Sequence, residues 1–208
     1  MLSFQQKKVL IVAPHMDDEI IGCAGTITLH KPNMSRIAVV FLADDACRME
    51  ENKHAADLLG ADQLYHLKLR DGFVAQDYEA GVHSLIEIIQ IEQPDIVFMP
   101  HEKDRHVDHV AAHGIAMDAI EKARYWKTTQ PVWKTDYVFE YEVWSFLEEV
   151  SEVVDISSVL DRKLTLMKEY ESQLDDFDYL MYIRYINGYR GLRHNKKGFA
   201  ECFNVRRI

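Results

Sequence analysis

Apolar residues are distributed along this chain in two alternating patterns. Lys8–Ala13 (KVLIVA) is a continuous apolar run of the kind expected of a strand buried on both faces. Gly22–His30 then reads as a helix, and Arg36–Leu42 (RIAVVFL) as a second buried strand. Arg48–Leu59 is helical and closes at Gly60, a residue suited to the left-handed conformation of a helix end. Gln63–Leu69 is strand-like, and Tyr78–Glu92 carries Val82, Leu85, Ile86 and Ile89 at helical spacing. Pro94 bars further helix, Asp95–Met99 (DIVFM) reads as a fourth strand, and His109–Ala123 as the helix after it.

Strand and helix alternating four times predict an α/β fold, a Rossmann-like, mostly parallel sheet with helices on both faces. Sites in such sheets gather at the carboxyl ends of the strands. The last third reads differently. Asp136–Ser145 (DYVFEYEVWS) alternates like an exposed-edge or antiparallel strand, helices are expected at about Ser158–Gln173 and Asp176–Leu192, and Phe199–Val205 forms a last strand. This part is expected to be a C-terminal extension capping the sheet. With no repeat or Pro/Ser-rich linker, residues 1–208 read as a single domain.

Hydrophobic residues make up 48% and charged residues 28%, the composition of a soluble globular protein. The formal charge of −10 argues against nucleic acid or anionic lipid as partners and leaves small molecules open. No apolar run reaches the ~20 residues of a membrane span, and the N-terminal segment does not read as a secretory signal, so a cytoplasmic location is expected. Cys23, Cys47 and Cys202 are widely spaced without a CxxC pair and read as buried apolar side chains. Ten histidines, several beside carboxylates, are the first functional signal.

The first strand ends in Pro14-His15-Met16-Asp17-Asp18-Glu19, and the fourth in a polar loop from His101 to His109. Two such loops meeting over adjacent strands would assemble His, Asp and His around one point. That is the ligand set of a hydrolytic zinc ion or a non-haem iron. Adjacent Asp17 and Asp18 point in different directions from the backbone, so one can bind metal while the other reaches a water. Spacing alone leaves open which does which. Taken singly, either cluster reads as a cap or a solvated turn. His109 and His113 share a helical face, but the glutamate of an HExxH motif is missing, and His113 reads as a packing or orienting residue. Gly22-Cys23-Ala24-Gly25 lacks the third glycine of a dinucleotide loop.

The stretch from Val9 to Glu19, continuing to Gly22 and Gly25-Thr26, resembles the HPDDE motif of the PIG-L/LmbE-like family. His106-Val107-Asp108-His109 resembles that family's HxDH motif. The segments Arg48–Gly60, Tyr141–Trp144, Asp155–Ser157 with Lys163 and Gln173, and Ala200–Phe203 are similar as well, so the resemblance spans most of the chain. The family contains N-acetylglucosaminyl-phosphatidylinositol deacetylase and the deacetylases of mycothiol and bacillithiol synthesis. The resemblance implies that His15, Asp18 and His109 bind a metal, Zn2+ with Fe2+ as an alternative, and that Asp17 is the general base. His106 would stabilise the developing charge or protonate the leaving amine, and Asp108 would orient an imidazole. Arg48 and Asp71 match positions that hydrogen-bond sugar hydroxyls, although Asp71-Gly72 reads equally as a plain turn. Met16 stands where the family usually has proline, which implies a slightly looser turn with the chemistry retained. Asp104-Arg105 stand where some relatives place an aromatic residue.

The function so implied is zinc-dependent removal of an N-acetyl group from an N-acetylglucosamine-type sugar or its conjugate, with acetate released. A small-molecule sugar is then the partner, and a homo-oligomer is left open. The alternatives are a deacylase of another N-acyl amide, a non-catalytic metal- or sugar-binding subunit, and an oxidoreductase resting on the α/β pattern alone. No Ser or Cys stands in a nucleophile setting such as GxSxG. The Tyr-rich stretch Tyr179–Tyr189 would line a subunit interface or the substrate cleft, or form an ordinary buried helix.

Overall fold

The computed structural model describes residues 3–43, 45–175 and 177–208. Seven strands form one sheet in the order β3-β2-β1-β4-β5-β7-β6. These are β1 (Lys8–Ala13), β2 (Arg36–Ala43), β3 (Gln63–Leu69), β4 (Ile96–Pro100), β5 (Tyr137–Tyr141), β6 (Glu152–Asp155) and β7 (Ala200–Arg207). The first five run parallel, and β7 pairs antiparallel with both β5 and β6. The helices are α1 (Asp18–His30), α2 (Met49–Leu59), α3 (Tyr78–Glu92), α4 (Val107–Ala123), α5 (Leu160–Met167), the short α6 (Glu171–Leu174) and α7 (Tyr179–Asn195).

The period-2 alternation of side chains sorts the strands onto two cores. Val9, Ile11, Ala13, Val39, Phe41 and Phe98 face one core, completed by α1, α2, α5 and α7. Leu10, Val12, Val40, Leu42, Val97 and Met99 face the other, completed by α3 and α4. Both faces are therefore covered, as continuous apolar strands require. From β1 the chain adds β2 and β3 on one side, then returns to add β4 on the other. The carboxyl ends of β1 and β4 thus flank the point where the strand order reverses, where α/β sheets hold their ligands.

Several expectations need correction. Helix α1 begins at Asp18 rather than Gly22, and Gly22 and Gly25 lie inside it. A Cβ on Gly22 would sit 2.3 Å from Tyr141 Cδ2, so this glycine admits the buried ring and has no part in a phosphate loop. Strand β5 is an interior strand, parallel to β4 and antiparallel to β7, not an edge. Its polar residue Glu140 is buried by His113, Asn204 and Arg206, at 2.8, 2.7 and 2.8 Å. The expected helix at 158–173 divides into α5 and α6, and β6 was not anticipated. The expected start of the following helix, Asp176, lies outside the described residues; α7 runs to Asn195. That helix is not a buried one: Met181, Tyr185, Tyr189 and Leu192 are exposed, while Ile183, Ile186 and Arg190 are buried. Cys23 and Cys202 are buried as expected, but Cys47 is exposed. Among the described residues no helix is long and apolar enough to cross a membrane.

A buried ion pair locks the C-terminal part onto α1. Lys163 of α5 donates to Glu201 Oε1 of β7 at 2.6 Å and to the Ile21 carbonyl at 2.7 Å. Glu201 in turn accepts the Gly25 and Thr26 amides at 2.8 and 2.7 Å. Both charged side chains are almost wholly excluded from solvent. Lys163→Met leaves the Glu201 carboxylate buried without its cation and is expected to cost about 3–5 kcal/mol. Urea unfolding of the two proteins measures it, and a loss under ~1 kcal/mol would reduce the pair to the worth of a surface contact.

Candidate active site

The loop after β1 is held in an unusual backbone conformation. Asp17 has φ 125° and ψ −26°, a region that non-glycine residues avoid and that costs roughly 1–3 kcal/mol. Its amide donates to Glu19 Oε2 at 3.1 Å, and its carbonyl accepts the Ile20 and Ile21 amides at 2.9 and 3.0 Å, opening α1. Glu19 Oε1 accepts the Tyr170 hydroxyl at 2.7 Å, which accepts Asn52 Nδ2 at 2.8 Å. From the same side of the fold, Arg48 Nη1 reaches the Met16 carbonyl at 3.2 Å and Asp17 Oδ2 at 3.4 Å. Met16 itself is buried in the core.

The loop after β4 delivers the second set. His106 caps α4 by accepting the Asp108 amide on Nδ1 at 3.3 Å. Asp104 Oδ1 accepts the His106 amide at 2.9 Å and lies 3.4 Å from His109 Nδ1. One helical turn further, His109 is fully buried. Asp18 Oδ2 lies 3.2 Å from His109 Nε2 and 3.2 Å from His15 Nδ1, so a single carboxylate oxygen stands between the two imidazoles. His15, His106 and His109 also each bring a ring nitrogen within 4.8 Å of the others.

These residues fit a divalent metal by two measures. Neither nitrogen of the buried His109 makes a hydrogen bond of acceptable geometry, and such an orphaned donor is rare without a ligand. Zinc bound tetrahedrally at ~2.0–2.1 Å places its ligands about 3.3 Å apart, close to the 3.2 Å separations from Asp18 Oδ2. Behind His15, Asp108 accepts the Gly72 and Val74 amides at 2.7 and 3.1 Å and meets His15 Nε2 at 3.2 Å. Asp71 Oδ1 reaches the same nitrogen at 3.2 Å.

The charges are strongly perturbed. Burial and the neighbouring Asp18 carboxylate push the Asp17 pKa well above the usual carboxylate range, against the pull of Arg48. Burial likewise lifts Glu19 to about 7. Burial disfavours the His15 cation, but hydrogen bonds to Asp108, Asp18 and Asp71 prevail and lift it to about 12. Burial opposes the Asp18 charge as well, yet His109 and His15 hold this carboxyl below its ordinary range. Burial, then His15 and His109, lower His106, which is therefore neutral. Since its Nδ1 accepts a backbone amide, its proton sits on Nε2.

The eight residues singled out from sequence converge on one region at the ends of β1 to β4. Arg48 reaches Asp17, and Asp71 reaches His15, so both are tied to the site's own side chains. The imidazole beside the Asp108 carboxylate is that of His15. Sequence reasoning missed the contacts of Asp104 and Glu19, although both lie within the polar loops, and it missed Asn52 and Tyr170, which carry no local signal.

The family model described as PIG-L, GlcNAc-PI de-N-acetylase, matches residues 10–120. Diacetylchitobiose deacetylase of Thermococcus kodakarensis is 25% identical over 191 residues, 82% of this chain and 71% of that protein. The conserved protein TT1542 of Thermus thermophilus superposes with a TM-score of 0.85 at 27% identity, covering 95% of this chain and 93% of that one. GalB, the 4-carboxy-2-hydroxymuconate hydratase of Pseudomonas putida, superposes at 0.81 with 20% identity, covering 96% and 95%. The last shows the fold alone, and shows also that the fold does not choose the reaction.

His15, Asp17 and Glu19 share one sign of linkage. Each keeps its proton in the folded protein where the unfolded chain has released it, so stability falls as pH rises. Glu19 contributes between its ordinary 4.5 and about 7, and His15 above its ordinary 6.5. Asp18 has the opposite sign, but its contribution is complete once the pH exceeds ~4. The lowered His106 opposes this trend up to its ordinary 6.5, so the metal-free protein is expected to lose stability from about pH 7 to about pH 9. Because bound metal displaces protons, zinc should flatten or reverse that slope. Urea midpoints with chelator and with zinc test this, and parallel slopes would contradict it.

Proposed function

Since the chain belongs to the PIG-L (GlcNAc-PI de-N-acetylase) family, we propose that it is a zinc-dependent N-deacetylase acting on an N-acetylglucosamine-type sugar or sugar conjugate. The whole chain serves as one deacetylase domain. The observation that carries the reading is Asp18 Oδ2 midway between His15 and His109, with the buried Asp17 carboxylate next in sequence. Binding alone would not require a second carboxylate in a conformation as costly as that of Asp17.

His15, Asp18 and His109 would hold the metal. When bound, it supplies Lewis acidity, bringing the ionisation of water from ~15.7 toward ~7 and polarising the acetyl carbonyl. Asp17 takes the proton of the attacking water. Burial and the Asp18 charge raise its affinity for a proton, and the displacement of protons by a bound metal would free the carboxylate for that step. His106, neutral and protonated on Nε2, donates to the oxyanion as the carbonyl carbon becomes tetrahedral. The C–N bond then breaks as the nitrogen receives the proton carried by Asp17, giving acetate and a free amine. Asp108 holds His15 by its far nitrogen, which leaves Nδ1 for the metal. Asp71 Oδ1 meets the same nitrogen of His15 at 3.2 Å.

Asp17→Asn is expected to retain zinc while losing about 10²–10⁴ in kcat, read as primary-amine release from N-acetylglucosamine conjugates. Full activity in that variant would remove the general base. His109→Ala is expected to lose stoichiometric zinc by elemental analysis. Unchanged metal content would remove that ligand.

A further inference from the structure

Asp104 is buried in the loop after β4 and has no role in the steps above, yet groups from three parts of the site converge on it. Oδ1 accepts the His106 amide at 2.9 Å and lies 3.4 Å from His109 Nδ1, and Oδ2 accepts the Trp144 amide at 2.9 Å. The Asp104 amide donates to the His101 carbonyl at 3.3 Å, closing the turn that leaves β4. The carboxylate is thus pinned by two amides, one at the start of α4 and one after β5. Amides orient a carboxylate without cancelling its charge.

His109 stands between this carboxylate and another. Its Nε2 lies 3.2 Å from Asp18 Oδ2 and its Nδ1 3.4 Å from Asp104 Oδ1, and neither contact has the alignment of a hydrogen bond. A neutral imidazole has one N–H and one lone pair, so whichever nitrogen carries the proton, the other turns its lone pair on an anion. A cation on one side resolves the conflict. Asp18 Oδ2 is shared with His15 Nδ1 at 3.2 Å, which makes that side the one where a cation finds further ligands. The N–H of His109 then belongs on the Asp104 side. His15 is built in the same way: Asp108, pinned by the Gly72 and Val74 amides, meets its Nε2 at 3.2 Å. Each imidazole is therefore backed by a carboxylate that two backbone amides orient, and the short stretch Asp104–His109 supplies both carboxylates.

We propose that Asp104 is a positioning residue for the metal centre. It takes the Nδ1 proton of His109, which leaves the Nε2 lone pair toward Asp18 and His15. Through the His106 amide it also holds the residue that would stabilise the oxyanion in register with that ligand. The inference rests on the metal-site reading above and adds to it the group that sets the tautomer of His109.

The test compares wild type with Asp104→Asn, which keeps the shape of the side chain but turns an NH2 donor toward either the Trp144 amide or His106 and His109. Zinc affinity is measured by competition with a chelator, the stability of the chelated proteins by urea midpoints, and the histidine tautomers by NMR of 15N-labelled, zinc-loaded protein. Asp104→Asn is expected to bind zinc about 10–100-fold more weakly. In zinc-loaded wild type the proton of His109 should reside on Nδ1. In the variant its resonance should move upfield for want of a carboxylate partner, a change that a staple of the loop alone would not cause.

Unchanged zinc affinity in Asp104→Asn would overturn the proposal, as would an Nδ1 resonance that stays in place. If the variant does not fold, wild type decides: zinc carried on Nδ1 of His109, with the proton on Nε2, would overturn it as well. In each of those cases the metal-site reading survives. Failure of wild type to bind zinc would instead remove that reading, and the role of Asp104 with it.

Discussion

The pairing of β1 with β4 is the constraint on which the site depends. Val9, Leu10 and Ile11 lie in parallel register with Ile96, Val97 and Phe98, so both strands finish at the same edge of the sheet. Parallel neighbours lie only ~4.8 Å apart, and the loops leaving their ends have to meet. Residues 93 positions apart, His15 and Asp108, come into contact for that reason. The same pairing requires apolar residues on both faces of β1, which explains why helices from both halves of the chain must pack over it. Removing β4 from beside β1 would leave each loop an ordinary polar turn.

Concentrating carboxylates at this edge works against folding, and the chain offsets it with the imidazoles of His15 and His109 and with backbone amides. Asp18 accepts the amide of His15, Asp108 those of Gly72 and Val74, Asp104 those of His106 and Trp144, and Glu19 that of Asp17. Arg48 is the guanidinium that reaches into the cluster, at 3.4 Å from Asp17. The choice of donors has a consequence for function. An amide fixes a carboxylate's orientation and offsets its desolvation while leaving its negative charge in place to attract a divalent ion. A lysine or guanidinium in the same position would neutralise the charge and compete with the metal. Further along α1, where no ion is to be bound, a full cation does the work: Lys163 against Glu201.

How much of this was readable beforehand followed from how local the cause was. The strands Lys8–Ala13 and Gln63–Leu69 and the helix Tyr78–Glu92 stand where the pattern puts them, because burial on one or both faces is written into each short segment. Strand β5 misled, because Glu140 breaks its apolar run and only the tertiary partners His113, Asn204 and Arg206 make that residue tolerable inside. Strand β6 has four residues and gains its identity by pairing with β7. Helix α1 was expected to start late, since Asp18 and Glu19 read as loop although both are buried in its first turn. The residues proposed to hold the metal were legible because His and Asp cluster at two strand ends. Asn52 and Tyr170 were not, since they act in series on Glu19, which lies far from both in sequence. Trp144 read as part of an alternating strand and of a family-like segment, and its contact with the site, through the amide bond to Asp104, depends on tertiary structure.

The conformation of Asp17 shows where stability has been given up for chemistry. On regular backbone adjacent side chains diverge, to opposite faces of a strand or about 100° apart around a helix, so two neighbouring carboxylates would not both reach one metal and its water. Putting the first at φ 125° and the second at the start of α1 separates their roles within two residues. Glycine would adopt that turn without strain but would bring no carboxylate. The strained turn persists because it is held at several points: the amide by Glu19, the carbonyl by the first turn of α1, the side chain by Arg48. Glu19 is fixed in turn by Tyr170 and Asn52, and Asn52 lies on the helix that follows directly from Arg48. Helix α2 therefore acts on the Asp17 turn from two directions, and the placement of the proposed base is a property of β1, α1 and α2 packed together, not of the motif in which it occurs.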